Sequence, residues 1–299
     1  MNGFLNILKP PGMSSAAVVG HVRRLTGEKR VGHAGTLDPE AAGVLPIMVG
    51  RAARLFDYLV DKEKRYVAEC AFGTATDTQD ATGTVTAEGT DYPTLQQAAA
   101  AAATMEGNVW QRPSVYSAIK QGGKPLYQRA RDGEEVEAPL RQVHIERIRL
   151  TGETPRHGML MTVDCGRGTY IRSICHDLGE KVGCPAHMRF LLRTRSGFFT
   201  IEDAMTLEEL RANLDAGTLE SCLTPMDAPL QHLPRADAPA WLEKQVRNGV
   251  HLPLEKMRLD REVPGGGAVR VYLRDQFWGV AAREADFLVW RAQIPPDAA

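Results

Sequence analysis

No apolar run in this chain approaches the roughly 20 residues that a bilayer-crossing helix needs. No membrane role is therefore expected. The N-terminus, MNGFLNILKPPGMSS, has a short apolar patch but no basic start and no cleavage-like site, so no signal peptide is expected. Cysteine is scarce: five, odd in number and scattered. That suits a reducing cytosol rather than a disulfide framework and points to a cytoplasmic protein. A dominant charge is also missing, with 36 Lys and Arg against 37 Asp and Glu and a net charge of −1. A simple basic footprint for nucleic acid is absent. The distribution is less even than the sum. From Arg112 to Arg195 there are 15 Lys and Arg against 9 Asp and Glu, an excess of +6. Phosphate contacts depend on where charges sit, although such an excess is more often a solvated face.

The common cofactor signatures are missing too. There is no G-x-x-x-x-G-K-[ST] loop and no G-x-G-x-x-G between a strand and a helix. Neither G-x-S-x-G nor H-E-x-x-H occurs. Cys175-His176 and Cys184-Pro-Ala-His187 lack the paired spacing of a zinc site. No metal and no cofactor are expected, and there is no internal repeat.

What is present alternates between strand and helix patterns. Phe4 to Leu8 reads as a strand, ended by Lys9-Pro10-Pro11-Gly12. Ser14-Ser15 can cap a helix with Val18, Val19, Val22 and Leu25 on one stripe and Arg23 and Arg24 elsewhere. Arg51 to Val60 reads as an amphipathic helix before the charged run at residues 61–65. Tyr66, Ala68, Cys70 and Phe72 fall on one face of a strand. Thr74 to Gly83 is polar and turn-rich, a loop. The alanines from Leu95 to Met105 predict an ordinary helix. Val143 to Leu150 is a strand whose phase slips, as a bulge would cause. Met159 to Cys165 and His187 to Gly197 are further strands. Between them a helix carries Ile171, Ile174, Cys175, Leu178 and Val182, with Arg172 on another side. Pro225 to Pro239 is proline-rich and marks a boundary. Beyond it come a short helix near Trp241 to Arg247 and strands at Val269–Leu273, Phe277–Ala281 and Phe287–Trp290.

Two stretches carry chemical promise. In Arg30 to Gly50, a glycine-rich turn precedes one acid, Asp38, which is followed by Pro39 and the apolar run Val44 to Val49. Glycines permit close approach to a ligand, and Pro39 biases Asp38 toward an extended conformation. The structural alternative is that Asp38 caps a helix starting near Pro39. The second stretch, Arg112 to Leu140, mixes basic residues with Tyr116 and Tyr127 and several glycines. Such a mixture suits stacking on bases while pairing with phosphates; a plain surface hairpin remains the alternative. A carboxylate can act as a nucleophile at a sugar carbon, C1′, where positive charge develops. It must then be ionised and oriented, which a neighbouring arginine supplies.

At this point a resemblance is evident. Gly32-His-Ala-Gly-Thr-Leu-Asp-Pro39 and Ala41-Ala-Gly-Val-Leu-Pro46 resemble the TruB family of tRNA pseudouridine synthases. So do Lys9-Pro-Pro-Gly12, Lys64-Arg-Tyr66, Pro113-Ser-Val-Tyr-Ser-Ala-Ile-Lys120 and Gly123-Lys-Pro-Leu-Tyr127. Gly168-Thr-Tyr-Ile-Arg172, His176-Asp-Leu-Gly179 and Ala186-His187 through Leu191, Arg193 and Ser196-Gly-Phe follow in the same order. The resemblance implies an α+β (mixed α/β) pseudouridine synthase fold with a mixed, mainly antiparallel sheet flanked by helices. It implies a catalytic domain over 1–230, an RNA-gripping insertion near 112–140 and a small β-rich C-terminal domain over 236–299, itself a candidate RNA binder. The implied reaction is isomerisation of the T-arm uridine, position 55 of tRNA, by a cytoplasmic monomer without cofactor. Asp38 takes the place of the catalytic aspartate, Tyr66 of the ring stacked on uracil and Arg172 of the partner of Asp38. His33, Tyr170 and Leu191 match positions around the flipped nucleotide. Lys9, Arg23, Arg24, Lys120, Lys124, Tyr127 and Arg131 are expected to contact RNA. Ala16, Ala42 and Leu192 depart from the family's usual residues, and Leu192 stands where an arginine is frequent. A rival reading is a tRNA-binding and folding protein whose catalysis is incidental. A glycosidase acting on free nucleosides would need a second positioned acid and leaves the basic insertion unexplained.

Overall fold

The computed structural model describes residues 1–59, 63–117 and 119–296, with the side chains of Lys120 and Arg131 outside the description. Tyr66, Ala68, Cys70 and Phe72 lie together on the buried face of one strand, as their alternation predicts. That strand is the middle of a nine-stranded sheet. In chain order the first elements are β1 (Gly3–Lys9), α1 (Ser15–Thr26), β2 (Val31–His33), β3 (Ala42–Val49), β4 (Lys64–Phe72), β5 (Thr74–Thr76), β6 (Val85–Glu88), α2 (Leu95–Ala103) and β7 (Gly107–Gln111). The insertion holds β8 (Lys120–Gln121), β9 (Lys124–Pro125) and α3 (Leu126–Arg131). Then follow β10 (Arg141–Thr154), β11 (Gly158–Cys165), α4 (Ile171–Val182), β12 (Ala186–Ser196), β13 (Phe199–Thr200) and α5 (Leu207–Asp215).

The sheet runs β1-β3-β12-β4-β11-β10-β7, with β2 on β3 and β13 on β12. Its pairings are antiparallel except for a short parallel contact, Leu192 to Ala42 and Arg193 to Gly43. Gly43 makes that contact possible: a Cβ there would lie 2.2 Å from the Arg193 carbonyl oxygen, and its φ of +115° is one that side chains resist. One face of the sheet packs on α1, α2, α4 and α5 through Val18, Ala98, Ile174 and Leu210. Local signals explain the helix starts. The Ser14 side chain accepts from Ala17 N, and Thr94 with Gln97 forms a capping box before the alanine run. The phase slip in β10 is a register shift between Ile145 and Arg147.

Three local expectations need correction. The helix expected at 51–60 is a 3₁₀ helix, Gly50–Tyr58, whose buried Ala52 and Leu55 are three apart, the spacing that eclipses in that geometry. Its expected last residue, and two of the charged run after it, lie outside the described residues. Asp38 caps no helix: its carbonyl accepts from Ala41 N at 3.1 Å, closing a turn that leads directly into β3. The close crossing at Gly43 draws the chain into the sheet instead. The loop from Thr74 to Gly83 is partly strand, since β5 pairs with β6.

The remaining elements are β14 (Arg235–Ala238), α6 (Glu243–Arg247), β15 (Leu252–Pro253), β16 (Arg258–Leu259), β17 (Ala268–Leu273), β18 (Gln276–Glu284) and β19 (Phe287–Gln293). They include the three strands expected there and form a second sheet, β15-β19-β18-β17-β14-β16. Its own core contains Val246, Val271, Trp278 and Leu288. Val280, Ala292 and Ile294 also join Phe4, Val44 and Leu55 in a shared apolar cluster that attaches it to the first sheet. Among the described residues no helix is long and apolar enough to cross a membrane.

Candidate active site

A cavity of about 460 Å³ opens where the Asp38 turn, β4, β12 and the start of α4 meet. Asp38, Tyr66, Tyr170, Arg172, Leu191 and Arg193 line it. Four elements distant in sequence thus bring together five of the six residues expected there as catalytic or base-binding. His33, the sixth, is half-buried on β2 and does not line the cavity itself.

The backbone on both sides of Asp38 is braced. Ser15 Oγ donates to Leu37 O at 3.0 Å and accepts from Leu37 N at 2.9 Å. Lys9 Nζ donates to Pro10 O, Met13 O and Pro39 O at 2.7, 2.5 and 2.9 Å. Gly12 N also reaches Pro39 O, at 2.9 Å. The N-terminal Lys9-Pro-Pro-Gly12 turn is therefore the floor under the acid. Lys9 was expected to contact RNA; it is wholly buried with its ammonium on three carbonyls, and that expectation is corrected. A lysine so placed is retained because each N–H of the charge finds an acceptor. Burial pushes its pKa down to about 8, against the raising effect of Glu40 and Asp38.

Arg172 is the second residue of α4, in its first turn, and is buried. Its Nε lies 3.1 Å from Asp38 Oδ2. Nη1 donates to Thr78 O at 3.0 Å and to Asp80 Oδ2 at 3.2 Å, and Nη2 donates to Tyr116 O at 3.1 Å. A planar fork with five donors suits such a crossing point, where a point charge would not. Asp80 was missed in the sequence, where it sits among threonines in a stretch read as a loop. Its Oδ1 accepts from Thr78 and Thr82, so the loop is built around it.

Tyr66 is directly across from Arg193 in the β4–β12 register. Burial raises the Tyr66 pKa, with the Arg193 guanidinium opposing, so the phenol is protonated at neutral pH. Arg193 is almost fully buried. Nε donates to Val44 O at 2.8 Å, Nη2 to Gly35 O at 3.0 Å and Nη1 to Thr36 O at 3.3 Å, which holds the glycine turn before Asp38. Burial, then Arg193, lowers the His33 pKa. That ring is neutral at pH 7, and its Nδ1 is buried without a hydrogen-bond partner in the protein. Tyr170 has its pKa raised by burial, with Ser117 hydrogen bonding in the opposite sense.

Of the other expected RNA contacts, Arg23, Arg24, Lys124 and Tyr127 are exposed. Arg23 also donates to Val31 O at 3.1 Å. The side chains of Lys120 and Arg131 lie outside the described residues. Among the described residues, His176, Asp177 and Glu180 are the trio whose ligand-type atoms gather within 4.8 Å, and none of them lines the cavity.

Known proteins resemble this chain in sequence and fold. The model described as TruB family pseudouridylate synthase (N terminal domain) matches residues 23–171, and that described as tRNA pseudouridylate synthase B C-terminal domain matches 172–231. Similar curated proteins are named tRNA pseudouridine synthase B. That of Bacillus pumilus is 40% identical over 92% of this chain and 93% of its own length. That of Bacillus subtilis is 42% identical over 91% and 89%. Among solved structures, a Cbf5-Nop10-Gar1 complex matches with a TM-score of 0.73 and 27% identity, over 94% of this chain and 78% of the other. An H/ACA RNP bound to a substrate RNA containing 2′-deoxyuridine shares the fold, with a TM-score of 0.77, 24% identity and coverage of 99% and 86%. The chain belongs to the TruB family of pseudouridylate synthases, which isomerise uridine to pseudouridine.

Proposed function

We propose that this chain isomerises the T-arm uridine of tRNA to pseudouridine, with Asp38 acting at C1′ of a flipped-out nucleotide. The observation that carries the reading is the half-exposed Asp38 carboxylate, oriented into the cavity by a buried Arg172. Flipping costs on the order of a few kcal/mol. Stacking on exposed aromatics such as Tyr127 offsets it, at about 1–3 kcal/mol per base. In the cavity the uracil ring lies against Tyr66 and Leu191, and Arg172 holds Asp38 for attack or assistance at C1′. The N1–C1′ bond breaks, the uracil turns, C5 bonds to C1′, the C5 proton leaves and N1 takes up a proton from solvent. Atoms and electrons balance without an external oxidant or group donor. The neutral Tyr66 phenol covers the ring and keeps water out.

Arg23, Arg24, Lys120, Lys124, Tyr127 and Arg131 serve in this reading as backbone and stacking contacts, and the chain acts as a monomer in the cytoplasm. Residues 1–230 form the catalytic domain, and 236–299 a C-terminal domain that adds RNA contact. Release of tritium from C5-labelled uridine in tRNA tests the proposal, with free uridine as control. Wild type should release it from tRNA alone, and Asp38→Asn should bind tRNA and release none. Release by Asp38→Asn at the wild-type rate would overturn the assignment. Full promotion of tRNA folding by Asp38→Asn would leave folding as an activity separate from the chemistry.

A further inference from the structure

The root of the insertion is stitched to the first turn of α4, the turn that carries Arg172. Gln111, the last residue of β7, is buried, and its amide makes a two-point pair with the Tyr170 backbone. Nε2 donates to Tyr170 O at 2.9 Å, and Oε1 accepts from Tyr170 N at 2.8 Å. Tyr170 is extended, with φ −104° and ψ 111°, so its N–H and C=O face the same side. A side-chain amide can then close the ring of two bonds that a neighbouring strand would otherwise make. Tyr170 is also the N-cap of α4, and its own side chain makes no capping bond. Gln111 thus anchors a helix end that lacks a local anchor.

Two further bonds follow along the same segment. Ser173 Oγ donates to Arg112 O at 3.2 Å, and Arg172 Nη2 donates to Tyr116 O at 3.1 Å. Ile119, Leu126 and Ala138 form a small core in the insertion, against which Tyr170 packs. The strand edge, the insertion and the start of α4 therefore share one joint, and Gln111 is its buried centre.

We propose that Gln111 is a positioning residue of the isomerisation, one that fixes Tyr170 against the substrate and sets the Arg172 fork on Asp38. This rests on the uridine-isomerase reading of the site. Gln111 touches no reacting atom; it acts through Tyr170 and Arg172. It also places the insertion and the catalytic pair on one rigid mount, so that RNA held by the insertion is registered to the acid.

The test is single-turnover tritium release from C5-labelled tRNA under saturating enzyme, with tRNA Kd measured separately. Gln111→Met keeps the length and loses both bonds. It should slow the saturated rate about 10- to 100-fold, the scale of a misplaced catalytic group, while Kd stays within about threefold of wild type, the phosphate contacts being untouched. Gln111→Glu supplies a second readout. Its protonated carboxyl donates to Tyr170 O and accepts from Tyr170 N as the amide does, whereas the carboxylate cannot donate. Burial raises the pKa of such an acid, so the ratio of its rate to that of wild type should be highest at low pH and fall as pH rises. An unchanged saturated rate in Gln111→Met, or a loss confined to Kd, overturns the proposal. A ratio for Gln111→Glu that is flat with pH also overturns it, and this arm stands if Gln111→Met fails to fold. Wild-type enzyme that releases no tritium from tRNA would instead sink the functional reading, and is seen before any variant is compared.

Discussion

Arg172 Nε lies 3.1 Å from Asp38 Oδ2, joining a carboxylate that is 41% exposed to an arginine side chain that is 6% exposed. Both line the cavity, the acid half-exposed and the arginine buried in its wall. The buried fork is thus oriented by Thr78, Asp80 and Tyr116 before any substrate arrives.

Arg172→Lys retains the charge but cannot hold four partners in a plane. Turnover should fall on the order of 100-fold while tRNA affinity changes little. Comparing single-turnover rates with filter-binding Kd checks this, and a rate near that of wild type would show that charge alone suffices.

Ser15→Ala removes both partners of Leu37, leaving a buried N–H and a buried C=O beside the acid. An unpaired buried group costs about 1–3 kcal/mol. The expected loss, about 2 kcal/mol or more, should appear as a lower urea midpoint with an unchanged slope. Turnover should fall as well, because Leu37 precedes Asp38.

Lys9 gives a pH prediction in which stability and activity move in opposite directions. Its folded pKa of about 8 lies below its ordinary 10.5. Below about 8 both states hold the proton and Lys9 contributes no slope. Between about 8 and 10.5 the unfolded chain binds more protons, so this group makes stability rise with pH. The neutral amine has only two N–H groups for three carbonyls, so the floor under Pro39 loosens over the same range. Activity should therefore decline above about pH 8 while urea stability does not. In Lys9→Met this alkaline limb should be missing from whatever activity remains.

Charge reversal at Arg23 and Arg24 tests the exposed face of α1. If each pairs with one phosphate, the double variant should flatten the slope of log K against log salt by roughly 1.4 to 1.8 and leave the saturated rate intact. An unchanged slope would take α1 out of the interface.

Much of the site was legible before the fold was known. Asp38 stood out as one acid on a glycine-rich turn; alternation placed Tyr66 on a strand, and the family resemblance alone supplied the roles of Tyr66, Arg172, Tyr170 and Leu191. Many strand and helix spans followed from periodicity, since burial of one face forces that spacing, but β7 and α5 did not. Other features were not legible. Asp80 sits in a polar loop that resembles any turn, and only the reach of Arg172 across the sheet gives it a role. Lys9 was expected to contact RNA; three carbonyls converging from Pro10, Met13 and Pro39 take its ammonium instead. Gln111 carries no signal at all in one dimension, because its partner is the backbone of Tyr170 and any residue type would offer the same groups.

The sequence by itself determined which residues could do the chemistry and which segments could form strands and helices, because residue type and spacing are local properties. Tertiary structure alone decided which charges are buried, which backbone groups take a side-chain partner and which loop faces the acid. Those outcomes depend on the parallel contact of β3 with β12, permitted by Gly43, and on the placement of α4 across the sheet. Both are contacts between distant segments, so no stretch of sequence contains them.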